Sequence, residues 1–92
     1  KVFKLNNMNE RKYQIIQELL EKMFEYAGHY PPNQTLRETK RDWYNNYTMT
    51  KEAKQQWITW GTSKLQTEMG LPRDRAATEM QMLDITFGLK SY

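Results

Sequence analysis

Three of the four glycines end stretches of regular apolar spacing, and that punctuation constrains the fold most. Gly28, Gly70 and Gly88 each follow a run in which large apolar residues recur three or four positions apart. This is the period of a helix with one buried face, and glycine just beyond it is a common helix stop. Before the first run, Asn7-Met8-Asn9-Glu10 has the form of a capping box, with Asn at the N-cap and Glu three residues on. Tyr13, Ile16, Leu20, Met23 and Ala27 follow at helical spacing, and Ile15, Leu19 and Phe24 widen the stripe. Pro31 and Pro32 block continuation. A helix is expected over about 8–27.

Thr35-Leu36-Arg37-Glu38 is a second capping box. It opens an expected helix over about 36–46, with Trp43, Tyr44 and Tyr47 at or near one face. Thr48 or Thr50 can cap a third helix over about 51–69, whose stripe is Ala53, Trp57, Trp60, Gly61, Leu65 and Met69. Gly61 inside that stripe costs about 1 kcal/mol against alanine, so a close neighbour, either backbone or an indole ring, should compensate. Pro72 suits the first turn of a fourth helix over about 72–87. Its expected apolar positions are Ala76, Ala77, Met80, Leu83, Ile85 and Phe87, and Leu89 and Tyr92 fold back behind it.

The expected fold is therefore all-α. Four amphipathic helices form one domain over 1–92, packed irregularly or orthogonally because the second is short. A short extended arm, residues 1–6, precedes them. A chain of 92 residues buries roughly 60–65% of its unfolded surface. Three Trp, six Tyr and three Phe supply the bulk that so small a core needs.

Composition removes several kinds of chemistry. Cysteine is absent, which excludes disulfides, thiolate metal sites and cysteine nucleophiles. His29 is the sole histidine and reads as a surface loop residue beside Tyr30. Serine occurs only at 63 and 91. Glu18, Glu21 and Glu25 share a helix side away from the apolar stripe, which makes a solvated face the simpler reading than a metal site. The chain has no P-loop, GxGxxG or HExxH signature. No catalytic residue, metal ligand or cofactor is assigned, and a non-enzymatic role is expected. No apolar run approaches a membrane span of roughly 20 residues. The first residue is not Met, which points to a trimmed N-terminus, and the start is too short and polar for a secretory signal. A cytoplasmic location is expected.

Two binding readings remain. The aromatic group Trp43, Tyr44, Tyr47, Trp57 and Trp60 is core if the domain can cover it. If part of it is exposed beside Arg37, Lys40, Arg41 and Lys54, it forms a protein-binding hot spot or a stacking surface for single-stranded nucleic acid. Burial in a homodimer is the third outcome. The other reading is duplex recognition by residues 65–79, where Met69-Gly70-Leu71 joins two helices as in a helix-turn-helix. Arg73 and Arg75 would then meet phosphates and base edges. Gln66 stands where that motif wants a small residue, and Ala76 where it wants a larger one. The net charge of +3 is spread evenly, with eight basic and six acidic residues in 1–46 and six and five in 47–92. That balance provides little phosphate affinity.

Residues Glu79-Met80-Gln81-Met82-Leu83-Asp84-Ile85-Thr86-Phe87-Gly88-Leu89-Lys90, with Trp57-Ile58-Thr59-Trp60-Gly61 upstream, resemble small uncharacterised proteins of tailed bacteriophages, marine ones in particular. The likeness spans about the last forty residues. It implies a short accessory or host-interaction protein and carries over no site residue. The first expectation is thus a helical protein–protein interaction module, and nucleic-acid binding is the alternative.

Overall fold

The computed structural model describes residues 7–29 and 47–92, with side chains in the first stretch from Glu10 onward. The expected arm over 1–6, the helix over 36–46 with its capping box, Trp43 and Tyr44 lie outside the described residues. Within them are three helices, α1 (Asn7–Tyr26), α2 (Lys51–Met69) and α3 (Arg73–Phe87), and two short strands, β1 (Thr48–Met49) and β2 (Lys90–Ser91). The fold is thus mainly helical, but the described part holds three helices where four were expected over the whole chain.

Each helix boundary has a local cause. Thr50 caps α2: its hydroxyl accepts a hydrogen bond from the Ala53 amide at 3.0 Å, satisfying one of the orphan donors of the first turn. Gly70 ends α2 with φ +67, and its amide donates to the Gln66 carbonyl. Pro72 is the N-cap of α3 rather than part of its first turn. Gly28 follows α1 in the left-handed region, φ +86. Gly88 differs, with extended φ of −65. There the hydrogen side chain is required by space, because a Cβ would run into the Asp84 carboxylate and carbonyl.

α2 is the central element, and both neighbours run antiparallel to it. From α1, Arg11 reaches Glu68 and Glu18 reaches Lys64. From α3, Asp84 reaches Lys54 and Met80 lies over Gly61. Contacts are spread along both helix pairs in this way, where an irregular or orthogonal packing was expected. The buried residues come from all three helices: Ile15, Leu19, Leu20, Met23 and Phe24 from α1, Trp57 and Leu65 from α2, Ala76 and Met80 from α3. Two stripe assignments are corrected. Tyr13 is 55% exposed and Ile85 66% exposed, because the centre of each buried face is rotated toward α2 and away from them. Gly61 does face a close neighbour, but it is the Met80 thioether and the Leu19 side chain rather than backbone or an indole.

The strands depart from an all-α fold. β1 and β2 pair in parallel, Thr48 opposite Lys90 and Met49 opposite Ser91, with α2 and α3 as the crossover between them. The Tyr92 amide donates to the Met49 carbonyl at 3.2 Å, and the Lys51 amide donates to the Tyr92 carbonyl at 3.1 Å. This ladder sets Met49 and Leu89 into the core, both fully buried. Lys54 strengthens the closure by donating to the Leu89 carbonyl and pairing with Asp84 at 2.9 Å.

Candidate functional site

The aromatic set divides when placed on this frame. Trp57 is fully buried, and its indole N–H donates to the Leu19 carbonyl at 2.7 Å. It is a core residue of one copy of the chain and has no surface to offer a partner. Tyr47 is half-buried, with its ring edge-on to Phe24 at 5.2 Å and close to His29 at 5.0 Å. Trp60 is also half-buried, and the ammonium groups of Lys22 and Lys64 lie 5.2 and 5.5 Å from its ring centroid. Its π system is therefore already engaged by cations of the same chain, and a stacking base would compete with them. An open hollow beside it is lined by Tyr26, Trp60, Gln55 and Gln56.

The arginines of the corner are on the surface. Arg73 and Arg75 are both exposed, and Arg75 pairs with Glu79 one turn on, at 3.4 Å. Against these two cations α3 carries Asp74, Glu79 and Asp84, so the helix as a whole is net negative. Gly70 does adopt the left-handed turn and Leu71 is half-buried, as a helix-turn-helix corner would have them.

His29 is exposed and its amide caps α1 by donating to the Phe24 carbonyl at 2.9 Å. The glutamates of α1 have separate partners: Glu18 meets Lys64, Glu25 meets Lys22, and Glu21 accepts from Gln17. Among the described residues no three His, Asp or Glu side chains gather where they could hold a metal ion. Among them, too, no helix is long and apolar enough to cross a membrane.

A further concavity, lined mainly by apolar residues, lies elsewhere among the described residues. α1 and α3 each pack on α2 but touch one another little. The gap between them is an apolar groove of about 250 Å³. Ile16 and Leu19 form one wall, Leu65 and Met69 the floor, and Met82 and Leu83 the other wall. Lys12, Arg75 and Glu79 stand at its edge. Met82 is 56% exposed, and Ile85, one turn further along α3, is 66% exposed. Apart from these two, the exposed large apolar residues among those described are tyrosines, Tyr13 and Tyr92. Sequence reading passed over this groove, although one signal pointed to it. Met82 lies off the Ala76–Met80–Leu83–Phe87 stripe, on a side of the helix that no expected neighbour would cover.

Compared with known proteins, the chain matches no family model, and no curated protein or solved structure is significantly similar to it.

Proposed function

We propose that the protein is a non-enzymatic helical module that binds another polypeptide in the groove between α1 and α3. The observation that carries this reading is an apolar groove, among the described residues, whose wall carries the exposed Met82 side chain, with exposed Ile85 nearby on the same helix. Small monomeric proteins seldom leave such surface facing water unless something binds it. The groove is bounded by two helices with a third as its floor, the shape that receives an amphipathic helix with apolar residues at i, i+3 or i+4, and i+7. This moves the expected contact surface away from Trp57 and onto Ile16, Met69 and Met82. Trp43 and Tyr44 remain candidates from the sequence.

Selection from a display library of helical peptides tests the reading. Binders should carry that apolar spacing, and their addition should shift the backbone NMR signals of Ile16, Met69 and Met82. Met82→Glu should weaken binding at least tenfold. Peptides that bind but shift only residues around Trp60, or a selection that yields no binder, would overturn it.

A second reading, duplex binding through Arg73 and Arg75, is favoured by the left-handed Gly70 and the exposure of both side chains. The net negative charge of α3 weighs against it, since phosphate contacts supply most non-specific affinity. The likeness of residues 79–90 to short tailed-phage proteins supports an accessory or host-interaction role. The setting proposed with it is the host cytoplasm.

A further inference from the structure

We infer that the groove also takes a medium-chain carboxylic acid, with its alkyl chain among the apolar side chains and its carboxylate at the Lys12 end. This goes beyond the polypeptide reading, since it uses the same groove for a different ligand, and the two compete. The lining has the polarity of such a molecule. Leu65 and Met69 of α2 form the floor, and apolar residues of α1 and α3 form both walls. The polar residues of the lining are Lys12, Arg75, Glu79 and Thr86. Concave, mostly apolar sites with a few polar groups that fix orientation are the usual form of a small-molecule site.

The cations stand at one end of the groove. α1 and α3 both run antiparallel to α2 and therefore parallel to each other. Lys12 lies in the second turn of α1 and Arg75 in the first turn of α3, so both meet the groove where those helices begin. Arg75 is paired with Glu79 at 3.4 Å, which offsets the charge of that carboxylate. Lys12 is exposed and enters no ion pair among the described residues. A ligand carboxylate therefore meets this ammonium without displacing a partner, whereas a neutral or cationic head group gains nothing there.

The volume sets the chain length. A methylene group takes about the share of a liquid water molecule, roughly 30 Å³, so a groove of about 250 Å³ holds roughly eight carbons. Octanoate and decanoate have that size. Each methylene buried tightens binding about fourfold, so affinity should rise about fifteenfold from hexanoate to octanoate and level off once the chain outgrows the groove.

NMR titration of the full chain with hexanoate, octanoate and decanoate, each below its micellar concentration, tests the inference. Octanoate should shift the signals of Ile16, Met69 and Met82, and affinity should follow the rise with chain length. Lys12→Gln, a change at an exposed position, should leave the circular dichroism spectrum unchanged. It should weaken octanoate binding about two- to fivefold, the range of an exposed ion pair, and leave octanol binding as it was. Octanoate should also displace a groove-selected helical peptide. No shift at the three groove residues, or equal octanoate binding by the wild type and Lys12→Gln, would overturn the acid site. If the selected peptides still bind in the groove, either result leaves the polypeptide reading standing. Octanoate binding with that dependence on Lys12, in a groove that takes no peptide, would support the acid site and overturn the polypeptide reading alone.

Discussion

Gly61 is the residue on which the packing of the three helices turns. It sits midway along α2, fully covered, with Met80 of α3 and Leu19 of α1 filling the space where a side chain would begin. A methyl group there would collide with the Met80 thioether and lie 3.1 Å from Leu19 Cδ2. Met80 is flexible by nature but has no exposed surface into which to retreat. Gly61→Ala gains about 1 kcal/mol of helix propensity. It loses about 1–3 kcal/mol to overpacking. We expect a net loss of about 1 kcal/mol, read as a fall in Tm of roughly 4–8 °C. A rise in Tm would mean that Met80 finds another rotamer without cost. The sequence marked the glycine as needing a compensating neighbour but named backbone or an indole, whereas side chains of two other helices fill the space.

At the scale of the element, the C-terminal tail depends on one lysine. Lys54 spans the start of α2, the end of α3 and the Leu89 carbonyl. The Asp84 Oδ1 is buried without an aligned hydrogen bond, so the nearby ammonium is what compensates its charge. Removing one partner of such a pair is costlier than removing both. Lys54→Met should destabilise the protein by about 1–3 kcal/mol, below the range for a fully buried pair because both side chains keep some exposure. Adding Asp84→Leu should restore part of that loss. Urea unfolding of the single and double variants checks this, and an additive loss in the double variant would show the pair to be unimportant. The tail itself was foreseen only as residues folding back. A two-residue parallel ladder has no periodicity of its own, and strands this short are invisible to pattern reading. The helices were far more legible. The ends of α1, α2 and α3 fall within a residue of the expected limits, since caps, prolines and glycines act locally. The faces were less so, as Tyr13 and Ile85 show.

At the scale of the molecule, a charge network ties α1 to α2: Arg11–Glu68–Lys64–Glu18. Hydrogen bonds to Glu18 and then to Glu68 hold the Lys64 ammonium above the ordinary lysine range. The hydrogen bond from Lys64 holds the Glu68 carboxyl below the ordinary glutamate range. The two contributions run in opposite directions with pH. Lys64 stabilises the fold below its unfolded pKa of about 10.4, and that contribution is lost as pH rises through its higher folded value. Glu68 stabilises the fold above its unfolded pKa of about 4.3, and that contribution is lost as pH falls through its lower folded value. Stability should therefore be level across neutral pH and fall in acid below about pH 4.3. Urea midpoints at acid and neutral pH measure the fall, and Lys64→Met should make it shallower. An identical acid limb in that variant would show the network to be mere surface decoration.

The sequence by itself determined where the described helices lie and that cysteine chemistry is absent. Caps and helix stops depend on neighbours three or four residues away, and the lack of cysteine is a matter of inventory. It also supplied the aromatic residues, but not their roles. Only the tertiary structure decided that Trp57 fills the core, that Lys22 and Lys64 flank Trp60, and that α1 and α3 stand apart. The groove is a property of that separation. Its walls lie more than fifty residues apart in the chain, and each looks alone like an ordinary apolar stripe. A binding surface made of helix–helix spacing has no local signature, because spacing follows from how all three helices pack on Gly61 and Met80.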